Sequence, residues 1–410
     1  MTHAVLQQTT RRARVGVALM FLTNGAIFAN VLPRYPEIKA KLGLSNAALG
    51  AAIAAFPLGA LLAGLAAGTL IHRFRSSRVG VVGTVFMAAM ILLVALAPNW
   101  WVLAACLFVG GSVDAIVDVA QNAHGLRVQR LYGRSILNSF HAIWSIGAVL
   151  GALMGSAAAG LGLPLAVHLG VSGVLFSAVV LATYRLLLPG PEAAQVDHSA
   201  PATSSGRAVP RRAIGVLLAL GVLACCGTVV EDAGASWSAL YLTGGLGAAA
   251  ALAGFGLVAL QGMQFVGRIL GDRLVDRFGK REVARMGGVI TALGMGLALA
   301  FPTTVTTLIG FGAAGLGVAT LVPAAMHTAD ELPGLPPGFG LTVVTWLMRV
   351  GFLASPPVVG LIADATSLRV GLLLVPLAGI AVVVLSGLLA GRVQATGINE
   401  PTIIEVGAPR

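Results

Sequence analysis

Two carboxylates, Asp114 and Asp118, sit four residues apart inside one long apolar run, and Gln121 and Asn122 continue the same helical face. An acid at the centre of a bilayer costs about 2.5–3.5 kcal/mol on insertion scales, so such a stripe must face protein or water. Carboxylates about 6 Å apart repel each other where solvent is scarce, which suits a site that takes up and releases a proton. A hydrogen-bonding stripe that only braces the helix is the competing reading. A loop from Arg127 to Arg134 would fold the next run back, placing His141 at the depth of Asp118 and Ser145 near Asp114. A His beside an acid can relay protons near neutral pH, or it can brace the hairpin through the backbone.

The second part of the chain offers different groups. Glu231 and Asp232 are expected near the outer end of the seventh run, where neighbours pointing about 100° apart cannot both face a cavity. One of them is therefore expected to meet headgroup water. Trp237, Gln261, Gln264 and Trp346, with Asn24 from the first run, complete a set of candidates for lining a solute cavity. An aromatic ring among polar side chains suits the apolar face of a sugar or an aromatic drug.

The elements that position these residues are membrane helices. Of 410 residues, 57% are hydrophobic and 10% charged, against about 25% charged in soluble domains. Apolar runs fall at 15–33, 47–71, 79–97, 101–123, 137–161, 164–187, 213–241, 247–270, 284–301, 305–326, 340–363 and 369–390, each near the length of roughly 20 residues that a helix needs to cross a bilayer. Their continuity excludes a barrel, whose strands are short and alternating. With the N-terminus inside, Arg11, Arg73, Arg127, Arg268, Arg277, Arg392 and most other basic residues fall on the cytoplasmic side. Arg34, Lys39, Lys41 and Arg369 fall outside, and Arg349 falls within a run. The net charge of +11 is thus a topology signal rather than a nucleic-acid surface. Cys106, Cys225 and Cys226 have neither the spacing of a zinc site nor a plausible disulfide pairing, and no metal or cofactor is expected. The glycine-rich stretch 244–256 follows no strand and reads as helix packing rather than a nucleotide loop.

The chain is also duplicated. Residues 72–98 and 276–302 align at an offset of 204: His72-Arg73-Phe74 over Asp276-Arg277-Phe278, Gly83 over Gly287 and Pro98 over Pro302. The same offset carries Ser145 onto Arg349, so an internal two-fold puts these two on facing walls of a central cavity. A guanidinium about 15 Å into a helix needs a partner there. Asp114 and Asp118 across the cavity are the candidates, with Gln261 or Gln264 as the local alternative.

The repeated segment between the second and third runs of each half resembles the Gly-x-x-x-Asp-Arg-x-Gly-Arg-Arg signature of the major facilitator superfamily. The second copy keeps Asp276, Arg277, Gly279, Lys280 and Arg281, preceded by Asp272 and Arg273 and with Gly271 one place early. The first keeps Gly68 and Arg73 but has His72 for the acid and Arg75 for the glycine. Asn24-Gly25, Arg34-Tyr35-Pro36-Glu37-Ile38 and Ser139-Phe140-His141-Ala142-Ile143-Trp144-Ser145 are similar to a bacterial branch of putative transporters related to fucose permease. The resemblance implies an all-α membrane protein of twelve transmembrane helices in two six-helix halves. Gate loops on the cytoplasmic side would hold that side shut through Arg and Asp; in the first copy, plain positive-inside decoration is the better reading.

The expected organisation is a cytoplasmic tail 1–14, a first half 15–187, a linker 188–212, a second half 213–391 and a cytoplasmic tail 392–410. The expected function is secondary active transport by alternating access in the bacterial inner membrane. It would be proton-coupled symport of a small polar, sugar-like solute by a monomer, with proton candidates Asp114, Asp118, His141 and Glu231. A proton-driven efflux antiporter is the alternative, although Ser145-Ile146-Gly147-Ala148-Val149-Leu150-Gly151 lacks the Gly-Pro motif of drug antiporters. An intramembrane Asp-rich enzyme is disfavoured because the offset places Val318 and Val322 where a second acidic motif would have to be. No nucleotide-binding motif for an ATP pump appears.

Overall fold

A computed structural model describes residues 3–134, 136–190, 211–332, 335 and 338–389. The expected linker and C-terminal tail therefore lie almost wholly outside the described residues. In chain order the helices are α1 His3–Ala29, α2 Tyr35–Leu42, α3 Asn46–Ala63, α4 Ala67–Phe74, α5 Ser76–Leu96, α6 Trp100–Tyr132, α7 Leu137–Gly160 and α8 Leu165–Thr183. The second half adds α9 Arg211–Leu240, α10 Phe255–Phe278, α11 Lys280–Ala300, α12 Thr304–Val318, α13 Leu321–Asp330, α14 Phe339–Ala365, α15 Leu368–Gly371 and α16 Leu374–Leu385. Among the described residues they make twelve stretches long and apolar enough to cross a membrane, one for every run read from the sequence. Several are broken: α3 and α4 share one span around a 3₁₀ turn at Gly64–Ala66, and α1 and α2 share another around Leu32–Arg34.

Local signals explain the boundaries. Ser45 and Asn99 accept from the amides of Ala48 and Val102 at 3.1 and 3.0 Å, capping α3 and α6, and Thr303 forms a capping box with Thr306. Close helix approach rests on missing side chains. Gly147 and Gly151 of α7 lie against the carbonyls of Leu22 and Ala26 on α1, where any Cβ would overlap backbone.

The sequence set several helix ends too early, because polar residues continue a helix once it leaves the lipid. α6 runs to Tyr132, so Arg127 and Arg130 are helical, and α7 begins at Leu137. α10 likewise carries Asp272, Arg273, Asp276 and Arg277 to Phe278, so the expected gate loop is the last turns of a helix.

The duplication survives in detail. Arg73 and Arg277 each lie over the ring of the following Phe74 or Phe278, at 5.5 and 5.4 Å. The next break is made by Gly279 at φ 85° in one copy and by Arg75 at φ 74°, ψ 143° in the other. That region is almost reserved for glycine, and a side chain there costs about 1–3 kcal/mol. Arg75 is the non-glycine residue with positive φ among the described residues. Arg75→Gly should therefore raise stability by about 1 kcal/mol after glycine's own entropy cost of roughly 0.5–1 kcal/mol. A thermal midpoint in detergent that fails to rise would count against strain at this turn.

Candidate functional site

The polar side chains of the first half converge on α6. Asn24 of α1 donates to Asp114 Oδ1 at 2.8 Å, and its own Oδ1 accepts from Trp144 Nε1 of α7 at 2.8 Å. Three helices are thereby tied through one amide, and Asn24 is the partner of Asp114 that Ser145 was expected to be near. Ser145 is buried, with its hydroxyl donating to the His141 carbonyl of its own helix at 3.3 Å. One helical turn on, Asp118 is exposed and accepts from Gln121 Nε2 at 3.2 Å and Asn122 Nδ2 at 3.0 Å.

His141 makes no hydrogen bond to Asp118. Its ring meets Phe21 edge-on at 5.2 Å while remaining within electrostatic reach of the acid. The expected direct pair is thus a through-space one, since Phe21 of α1 occupies the ring's flank. Arg349 of α14 also acts on Asp118 across the two halves, and its Nη1 lies beside the helix break at Gly64. No ion pair joins Arg349 to Asp114 or Asp118 among the described residues. Arg268 of α10 acts on His141 in the same way, so a residue that the sequence reading counted only as a topology charge belongs to this cluster. Only its place just inside the apolar run 247–270 could have hinted at that.

In the second half, Glu231 of α9 accepts from Gln261 Nε2 at 3.4 Å and from Gln264 Nε2 at 3.1 Å, both on α10. The glutamines are therefore committed to Glu231, which removes them as the local partners of Arg349. A carboxylate cannot donate, so both amides must turn their nitrogens to it and their oxygens away. The Oε1 atoms of Gln261, Gln264 and Gln121 are all buried without a hydrogen-bond partner. These are three acceptors in search of donors.

Other expectations are corrected. Asp232 is buried rather than at headgroup water, because α9 and the π turn Tyr241–Gly245 carry the span about 20 Å beyond it. Trp237 is fully buried in the core and lines no open cavity here, whereas Trp346 is 44% exposed. His168, which the sequence left unassigned, accepts from buried Arg34 at 3.4 Å and donates to Asn30 at 2.9 Å. Arg34 itself pairs with Glu37 at 2.5 Å.

The halves meet at the end of the bundle opposite the N-terminus of α1. Asp364 of α14 accepts from the backbone amides of Asn46 and Ala47 at 2.8 and 2.7 Å, capping α3 from the other half, and Gly254 N donates to Ser156 Oγ at 2.7 Å. Gly50 lies against the carbonyl of Pro356, and Gly360 against that of Asn46. At the terminus end, Arg73, Asp272, Asp276 and Arg277 form no ion pair among the described residues. Lys280 instead reaches His327 at 2.9 Å and Glu331 at 3.6 Å within its own half. Hydrogen bonds that join the halves, Asp364 with Asn46 and Ala47 and Gly254 with Ser156, lie at the other end.

The profile of the Major Facilitator Superfamily matches residues 17–273. An uncharacterized MFS-type transporter of Yersinia pestis is 28% identical over 357 residues, covering 87% of this chain and 90% of the relative. The crystal structure of a nucleoside transporter, NupG, superposes with a TM-score of 0.69 at 13% identity, over 92% of this chain and 97% of that one. The Escherichia coli fucose:proton symporter superposes with a TM-score of 0.59 at 18% identity, over 91% and 97%.

Proposed function

Because the chain belongs to the Major Facilitator Superfamily, we propose that it is a secondary transporter coupling the symport of a small, hydroxyl-rich solute to protons by alternating access. The carrying observation is that an exposed carboxylate, Asp118, occurs together with unpartnered, buried carbonyl oxygens in both halves, on Gln121 and on Gln261 and Gln264. Acceptors contributed by both halves suit a solute that brings hydroxyl donors, and a sugar supplies several on a small frame. Arg349 and His141 set the field in which Asp118 exchanges its proton, and Asn24 holds Asp114 in place behind it. A solved neighbour with the same fold is named as a fucose:proton symporter, the kind of cargo and driving ion proposed here.

In this reading the terminus end faces the cytoplasm of a bacterial inner membrane, following the positive charge there. The halves 15–187 and 213–391 then rock as bodies, with 188–212 as the connection and both tails inside. A monomer suffices, since each half contributes acceptors to one site.

The test is a thermal-shift screen of monosaccharides, nucleosides, organic acids and cationic drugs on purified protein, followed by uptake into proteoliposomes with an inward proton gradient. Ligand at 100 times its dissociation constant adds about 2.7 kcal/mol of stability, an easily measured shift. Stabilisation by hydroxylated neutral solutes, together with gradient-driven uptake, is the expected result. Stabilisation by organic cations alone, with uptake reversed to extrusion, would replace symport with efflux.

A further inference from the structure

Arg268 of α10 carries a charge that no carboxylate takes up. The side chain is exposed, and among the described residues it makes no hydrogen bond and no ion pair, not even with Asp272 one turn along its own helix. Gln261, Gln264 and Arg268 follow one another at helical spacing and so share one face of α10. On that face the glutamines turn their amide nitrogens to Glu231 at 3.4 and 3.1 Å. Gln264 Oε1 is thereby left buried and unpartnered, one turn from the guanidinium.

That face turns into the bundle and not toward lipid. The glutamines reach α9, and Gly267 and Gly271 lie against Ala319 and Thr320 at the end of α12. Opposite stands α7. Gly254 N donates to Ser156 Oγ at 2.7 Å, which sets the register of the two helices at the end opposite the termini. From that contact to Arg268 along α10 is about 21 Å, and to His141 along α7 about 22 Å, at 1.5 Å per residue. Arg268 therefore lies level with His141 across the space between the halves. It is also about 15 Å inside the end of α10 at Phe278, a depth at which a bare guanidinium is costly unless water or an anion meets it.

The carboxylates nearby are already engaged: Asp114 by Asn24, Asp118 by Gln121 and Asn122, Glu231 by the two glutamines. We propose that Arg268 is a specificity-determining residue that binds a carboxylate on the solute, which is a hydroxylated monocarboxylic acid such as an aldonic or uronic acid. This rests on the transport reading and narrows it. A neutral sugar answers the orphaned glutamine oxygens and leaves the guanidinium bare; the acid answers both, because the planar fork of an arginine matches the two oxygens of a carboxylate. Side chains one turn apart stand about 5–6 Å from each other, close to the span from a sugar acid's carboxylate to a hydroxyl a few carbons along.

The experiment compares hexoses with their matching hexonates, hexuronates and hexosamines, and with acetate as an anion without hydroxyls, at fixed ionic strength and pH. Thermal shift of the purified protein should give acids at least tenfold tighter binding than their parent hexoses, with hexosamines weakest. Arg268→Gln should lose that preference, and Arg268→Lys, which keeps the charge without the fork, should keep part of it. In parallel, phenylglyoxal, which modifies accessible guanidinium groups, should label Arg268 of the unmutated protein, and acids and acetate should slow that labelling where hexoses do not. The second arm decides the matter if the variants do not fold. Hexoses that bind as well as their acids, an acid preference that survives in Arg268→Gln, or an Arg268 that is inert to the reagent or unprotected by any carboxylate would each overturn the proposal while leaving symport of a neutral solute standing. Protection by acetate with no sugar or sugar acid bound would instead uphold the anion site and fail the hydroxylated solute.

Discussion

Asp118→Asn should collapse concentrative uptake to simple equilibration while leaving solute exchange across proteoliposome membranes largely intact. The amide keeps an Oδ1 acceptor for Gln121 and Asn122, so the local frame persists, but it cannot carry the proton. One charge moved through 100 mV is worth about 2.3 kcal/mol, so roughly 50-fold accumulation per 100 mV disappears with it. Arg349→Gln should weaken uptake as well, by releasing Asp118 from the field across the cavity. Because both act on one titrating group, the double variant should lose little more than Asp118→Asn alone. Additive losses would sever the link between the halves. Wild-type accumulation by Asp118→Asn would move the coupling site elsewhere.

Gly50→Leu should stop turnover altogether, at least 100-fold below wild type, with the protein folded and inserted. In the observed conformation a Cβ at Gly50 would overlap the Pro356 carbonyl, and one at Gly360 would overlap that of Asn46. These clashes fall between the halves and so exist only when the end opposite the termini is closed. A protein that cannot close there stays open to that side. The expected readout is a normal yield and thermal transition, together with faster hydrogen exchange in 31–47 and slower exchange at the terminus end. Turnover within a few-fold of wild type would show that the contact gives way by side-chain and backbone adjustment.

Much of this was legible in the sequence, for identifiable reasons. Membrane spans announce themselves through length and apolarity, and the duplication through charged turns that no lipid-facing helix can vary freely, so Arg73 and Arg277 still sit alike over Phe74 and Phe278. The stripe of Asp114, Asp118, Gln121 and Asn122 was visible because α-helical period alone places it on one face. Partnerships between helices were not. Whether Asp114 meets Asn24 or Ser145 depends on how α1 and α7 rotate about their axes, and that rotation is set by the glycines Gly147 and Gly151 against α1. Depth was misjudged for Asp232 because a polar pair near the expected end of a run looks like its edge, although the span continues to Gly245. Arg268 was hidden by the rule that found the topology, since a basic residue near a helix end satisfies that rule whether it faces lipid headgroups or a cavity.

The cap that Asp364 places on α3 has a consequence for how such a protein can drift. One partner is a side chain, but the other is the main chain of Asn46 and Ala47, which nearly every substitution there leaves in place. Mutation at 46 or 47 can scarcely loosen the latch, whereas position 364 alone can weaken it by the worth of an exposed helix cap, about 1 kcal/mol. Being exposed, that position is also free of packing constraint. The balance between the two ends of the bundle, and with it the residence time of each, can thus be retuned through a single codon without disturbing cargo, acids or fold.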